Sequence, residues 1–324
     1  MNPRVVEVLS NRANEAIDPH LHIWAWQIPA YLFLGGVVAG IMFLLAAMEL
    51  RTGKRPKSFS AQLMPFVAIG LLSLGMLFLL LDLEHPAHVY RFYMAFEPTS
   101  PMSWGSWILP LVYPALVLLG LGALTQERRE IMLGWPLLRK RRGFVEVFFS
   151  MADKGRGPVL WLTAILGVGL GVYTGLLLGT MSARPMWNSS VLGPLFLVSG
   201  ISTGAAAMML AHLSEEEAQL LVRWDSLAIA AELLLLFALV LGYGTGSEAT
   251  KAAGAMILGG PYTGMFWGLV VVAGLIAPLT LNLVELKRKI PGTRFAPALI
   301  LIGGLVLRVV FVAAGQLVSY SHLG

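Results

Sequence analysis

Two carboxylates, Asp82 and Glu84, stand two residues apart beside His85 and His88, where an apolar run gives way to DLEHPAHVYRFY. A carboxylate pair so placed suits groups that exchange protons near neutral pH, although a solvated helix end has the same composition. A second set of charges lies inside apolar sequence. Asp225 and Glu232 are seven residues apart, hence on one helical face, and Arg308 sits in the last apolar run. Charges at membrane depth are costly and mark pathways or paired partners. Two readings fit this set: a partial proton path with Asn282 and Glu285 at its cytoplasmic end, or a structural salt bridge between Glu232 and Arg308.

Around the first set the sequence supplies His20, His22, Trp24, Trp26, Tyr31, Trp104, Trp107, Tyr173, Trp187 and Asn188. A quinone head group needs an apolar, aromatic slot with hydrogen-bonding groups at its carbonyls, and these residue types provide one. The ordinary aromatic belt of membrane helices draws on the same residues. Other chemistries lack their residues. No nucleophile motif, phosphate loop or dinucleotide fingerprint is present. The chain has no Cys, so it holds no thiolate-ligated iron-sulfur cluster and no disulfide. Of six His only His212 falls inside an expected span, which argues against a bis-His haem, and no metal site is expected.

The elements that must position these groups are membrane helices. Only 13% of the 324 residues are charged and 57% are hydrophobic, with mean hydropathy +0.75. Apolar runs of about 20 residues, enough to cross a ~30 Å hydrocarbon core, recur eight times. The expected spans are 24–50, 60–82, 104–125, 157–181, 190–213, 223–244, 262–286 and 296–319. The fold class is therefore all-α integral membrane. Residues 1–23 form an outer N-terminal segment without a cleavable signal, 24–181 a first four-helix bundle carrying the candidate site, and 190–319 a second. Seventeen of the 23 Lys and Arg fall on one set of connections and five on the other. Positive charge stays cytoplasmic, so both termini are expected outside, in the periplasm. The same bias explains the net charge of +5 through lipid rather than nucleic-acid attraction.

A repeat supports two halves: Gly36 and Gly40 recur as Gly200 and Gly204, and PMSWGSW at Pro101 is echoed at Pro261, each Pro expected in a helix's first turn. Gly167, Gly171, Gly175 and Gly179 form a close-packing ladder. Residues 127–157 interleave aromatic and basic side chains, as a helix lying in the membrane interface does.

The passages WAWQIPAYLFLGGVVAG from Trp24, DLEHPAHVYRFY from Asp82, EPTSPMSWGSW from Glu97 and RPMWN from Arg184 resemble the NrfD family of polysulfide-reductase-type membrane subunits. The resemblance implies a haem-free inner-membrane subunit that exchanges electrons between menaquinone or ubiquinone and a ferredoxin-like iron-sulfur subunit. A catalytic or multi-haem subunit would complete the outer-face assembly, and the loops after Phe92 and Met181 are expected to form the docking floor of the cluster-bearing subunit. It also implies that Tyr173, eleven residues before RPMWN, contacts quinone and that Glu84 is proton-linked. The family's first-helix Asn and His are replaced here by Ile28 and Tyr31. The candidate site is thus Tyr173, Glu84 and Asp82 for chemistry, with His20, His22, Trp26, Tyr31, Trp104 and Trp187 around the quinone. Rival classes are a secondary transporter or channel, and a passive anchor.

Overall fold

The computed structural model describes residues 24–181, 183–288 and 294–318, and these form an all-helical, multi-pass membrane protein. Among the described residues, eight helices are long and apolar enough to cross a bilayer. They are α1 (Gln27–Thr52), α2 (Phe59–Asp82), α3 (Pro101–Ala123), α4 (Arg156–Gly179), α5 (Leu192–Met209), α6 (Glu215–Thr245), α7 (Gly264–Arg288) and α8 (Phe295–Leu317). Odd-numbered helices start, and even-numbered ones end, on one side, here called the cavity face. The other side collects Lys54, Arg55, Lys57, Lys287 and Arg288 and is called the basic face.

Three expectations change. α6 starts eight residues before 223, because Ser214 and Glu217 close a capping box ahead of EEEAQLLVRWD. Correspondingly α5 ends at Met209, so His212 lies in the connection rather than in a span, with Nε2 3.3 Å from the Arg294 guanidinium. Pro101 does occupy the first turn of α3, but Pro261 lies in a turn ahead of α7, which opens with a π-helical stretch, Gly264–Ile276.

Packing centres on α1, which touches α2, α4, α5 and α8. Within residues 24–181, α1 to α4 neighbour one another in a ring, and α5 to α8 repeat that order. The glycines that recur in the sequence face each other across the junction. A Cβ on Gly40 would fall on the Gly200 carbonyl, and one on Gly204 would come within 2.7 Å of Gly40 and Ile41 backbone. The α4 ladder serves the same contact: Gly167 abuts α1 at Ala39, and Gly175 abuts Leu192 and Gly193 of α5. Without a water-driven force between helices in lipid, such backbone approach supplies the dispersion contact.

On the basic face, ion pairs tie the connections to the bundle. Arg156 of α4 pairs with buried Glu49 of α1 and donates to the Leu119 carbonyl of α3 at 3.0 Å. Arg129 pairs with Asp153, which Arg55 also meets at 3.0 Å. The Arg129 hydrogen bond, opposed by some burial and aided by the charges of Arg129 and Arg55, holds the Asp153 carboxyl below its ordinary pKa.

Gly204→Ala should lower the thermal unfolding temperature of the purified protein, by a cost of about 1–3 kcal/mol for overpacking. Gly35→Ala, with no atom within 4 Å of its Cβ, should not. Because the folded Asp153 pKa is depressed, its contribution is complete above the unfolded value and disappears as pH falls through the folded one. Unfolding temperatures of wild type and Asp153→Asn should therefore differ at neutral pH and converge below about pH 4.

Candidate functional site

Between α1, α2, α3 and α4, towards the cavity face, lies a cavity of about 500 Å³. Its walls are mainly aliphatic and aromatic. Tyr31 and Ile28 come from α1, Met76 and Asp82 from α2, Ser106 from α3 and Tyr173 from α4, while Phe92 and Tyr93 of the α2–α3 connection close the top. Tyr31 and Tyr173 are 3% and 6% exposed, and their hydroxyls meet at 3.3 Å. Two phenols in contact share one hydrogen and leave the second O–H free to donate to a ligand. Ser106 is committed elsewhere, donating to the Ser103 carbonyl at 2.7 Å. Burial pushes the Tyr93 phenol above its ordinary pKa, so it too remains a donor through neutral pH.

Tyr173 reaches the cavity because the facing residue is glycine. A Cβ on Gly105 would lie inside van der Waals contact of the Tyr173 ring and hydroxyl. Pro101 starts α3 one turn earlier and so sets where Gly105 faces.

The structure sorts the expected residues. Tyr31, Asp82 and Tyr173 line one cavity, joined by Trp24. Glu84 does not: it lies exposed past the end of α2. Trp26 is 61% exposed and forms a T-shaped pair with Phe78, Trp104 donates to the Pro98 carbonyl at 2.7 Å, and both lie outside the lining. Trp187 is also outside it. This ring is buried, stacks on Trp24 at 5.4 Å and donates Nε1–H to the Phe311 carbonyl at 2.7 Å. His20 and His22 lie outside the described residues. Phe92, Tyr93 and Ser106 are lining residues that the sequence does not single out, although they belong to two of the quoted passages; their signal is proximity in sequence to Asp82 and Trp104.

RPMWN is a clasp. Arg184 donates to the Gln316 carbonyl at 3.1 Å, satisfying the C-terminal end of α8, and Tyr243 donates to the Met186 carbonyl at 2.7 Å. The Gln316 side chain accepts from the Trp24 N–H at 3.0 Å and donates to its carbonyl at 2.9 Å. The motif thereby fixes the start of α1 at the cavity mouth.

The second charged set is buried in the other half. Asp225 accepts hydrogen bonds from Ser202 and Asn282, each at 2.7 Å. Arg308, fully buried, donates to the Ser199 hydroxyl and to the carbonyls of Gly304 and Phe196, and lies 5.0 Å from the Phe196 ring centre. The direct Glu232–Arg308 pairing is not formed: no ion pair within 4.0 Å joins them, and the guanidinium donates instead to Ser199 and to the two carbonyls. Gly36 leaves the space the guanidinium fills, since a Cβ there would be 3.1 Å from its Nη2. Among the described residues no three His, Asp or Glu side chains converge as a metal site requires.

Gly105→Ala should displace Tyr173 and lower the unfolding temperature of the purified protein, at a cost of about 1–3 kcal/mol for an overpacked contact. Gly70→Ala, which meets open space, should unfold as wild type does in the same measurement.

Residues 14–319 match the family described as polysulphide reductase, NrfD. The sequence is similar to protein NrfD of Escherichia coli, with 31% identity covering 91% of this protein and 95% of that one. It resembles a polysulfide reductase polypeptide of Wolinella succinogenes at 29% identity over 91% and 94% of the two proteins. A tetrathionate reductase subunit of Salmonella typhimurium shares 24% identity over 66% and 56%. With the match running from the N-terminal segment to the end of α8, the chain belongs to the NrfD family of polysulphide reductase membrane proteins.

Proposed function

We propose that this protein is the quinone-reacting membrane subunit of a respiratory oxidoreductase complex. The family and the relatives named as parts of reductases support a membrane subunit of a reductase complex. The observation that carries the quinone reading is the Tyr31–Tyr173 hydroxyl contact opening into an apolar, aromatic cavity that also holds Asp82. A quinone ring slides between apolar walls while one phenol donates to a carbonyl oxygen. Oxidation of quinol releases two electrons and two protons: one proton goes to the Asp82 carboxylate at the end of α2 and on out of the cavity, and the other leaves directly to solvent at the cavity mouth. Reduction runs the same steps in reverse.

The electrons go to a partner. With no Cys in the chain, iron-sulfur ligation falls to a ferredoxin-like subunit, with a catalytic or multi-haem subunit beyond it. The α2–α3 connection offers its docking floor: Tyr90, Met94 and Phe96 are exposed beside a shallow depression lined by His85, His88 and Arg91. The charge bias supports placing the basic face in the cytoplasm and the cavity face in the periplasm across the inner membrane.

A second reading extends the first. The buried chain of Asp225, Ser202 and Asn282, with Glu232, Ser199 and Arg308 further along, favours a proton path through the second half. Glu232→Gln should abolish proton translocation in reconstituted vesicles while sparing quinone-linked electron transfer; unchanged translocation removes Glu232 from that path.

Tyr173→Phe and Asp82→Asn, assayed in the assembled complex, should each lower quinone-linked turnover by at least about tenfold, the scale of one lost acid–base or hydrogen-bonding group. Turnover at the wild-type rate in both would remove the site. A complex that stays on the membrane and keeps quinone chemistry only through another subunit would instead indicate an anchor.

A further inference from the structure

The long connection between α3 and α4 folds as three short helices, Gln126–Leu133, Pro136–Arg139 and Arg142–Lys154. Most of its charge is used internally. Arg129 pairs with Asp153, Arg142 with Glu130 and Glu146, and Arg156 with Glu49. Arg128 bonds Gln62 and lies 4.3 Å from the Phe59 ring centre. Four cations remain, exposed and in none of the ion pairs among the described residues: Lys154, and the contiguous run Arg139, Lys140 and Arg141.

Next to this run the helix Arg142–Lys154 is two-faced. Phe149 and Ala152 are buried in a cluster with Leu121, Leu124 and Leu133. Phe144, Val147 and Met151, at the i, i+3, i+7 spacing of a single face, are 64%, 55% and 52% exposed, and Trp135 is 61% exposed. A soluble partner is not needed to cover this face. The helix leads through Gly155 into α4, whose own exposed residues Trp161 and Ile165 belong to a membrane-spanning helix and meet lipid. An apolar face at the bilayer boundary, flanked by unpaired cations, has the chemistry of an interfacial helix that selects anionic headgroups.

We propose that Arg139, Lys140 and Arg141, with the exposed face of residues 144–151, form a binding surface for the phosphate headgroups of anionic lipids on the basic face. This surface lies across the protein from the quinone cavity and stands or falls independently of it. It anchors the α3–α4 connection in one leaflet, and through the Asp153 and Glu49 ion pairs that anchoring reaches α1 and α4.

The test uses the whole complex, reconstituted in vesicles of equal phosphatidylglycerol and phosphatidylcholine, extracted in mild detergent and examined by native mass spectrometry for retained lipid. Wild type should retain phosphatidylglycerol over phosphatidylcholine by about fivefold or more, and the triple variant R139Q/K140Q/R141Q should fall to within about twofold of the bulk ratio. Lys251→Gln, on the cavity face, should keep the wild-type preference. Should the triple variant fail to assemble, wild type in about 1 M salt provides the same contrast, because screening removes headgroup selection. No preference in wild type, or a preference that survives both the triple substitution and high salt, would overturn the proposal.

Discussion

The close approach of α1 and α5 is the contact on which the rest of the molecule depends. Gly40 and Gly204 bring two backbones together where any side chain would stand on a carbonyl or a Cα. In lipid no hydrophobic force presses helices together, so the joint rests on dispersion and on the absence of side chains. Everything on α1 is placed by it. Tyr31 is turned into the cavity on one side, while Gly36 on the other admits the Arg308 guanidinium. The cavity and the buried charges are thus two faces of one helix.

The cavity is made by what is missing as much as by what is present. Gly105 cedes the volume that the Tyr173 ring takes up, and the two phenols then share one hydrogen bond, leaving one O–H to face the cavity. At the mouth, Trp24 is held by its backbone to Gln316 and by ring stacking to Trp187, so the second half of the protein fixes the opening of a site built from the first. The proposed chemistry needs that rigidity, because proton and electron transfer both depend on where the quinone oxygen rests.

Spans are legible in the sequence because lipid imposes a length and a composition that few other constraints mimic. The differences between expectation and structure have equally physical causes. The start of α6 escapes hydropathy because its first turns are acidic and sit at the basic face, where only the Ser214 cap marks the helix. Glu84 draws attention by its nearness to Asp82, yet α2 ends at Asp82 and the chain turns away into solvent. Trp187 resembles a ligand contact because aromatic residues at a boundary serve packing and binding alike, and only the Phe311 hydrogen bond separates the two. For Glu232 and Arg308, sequence places both at membrane depth but carries no sign that the guanidinium is taken up by Ser199 and two backbone carbonyls.

The central claim is that quinone occupies the cavity between α1 and α4, against the paired phenols. Photolabelling the intact complex with an azidoquinone, then mapping the modified peptides, tests it most directly. Labelling should fall on segments that line the cavity, around Tyr31, Phe92 and Tyr173, and be competed by unlabelled quinol. Competed labelling confined to α5–α8, or to a partner subunit alone, would contradict the account.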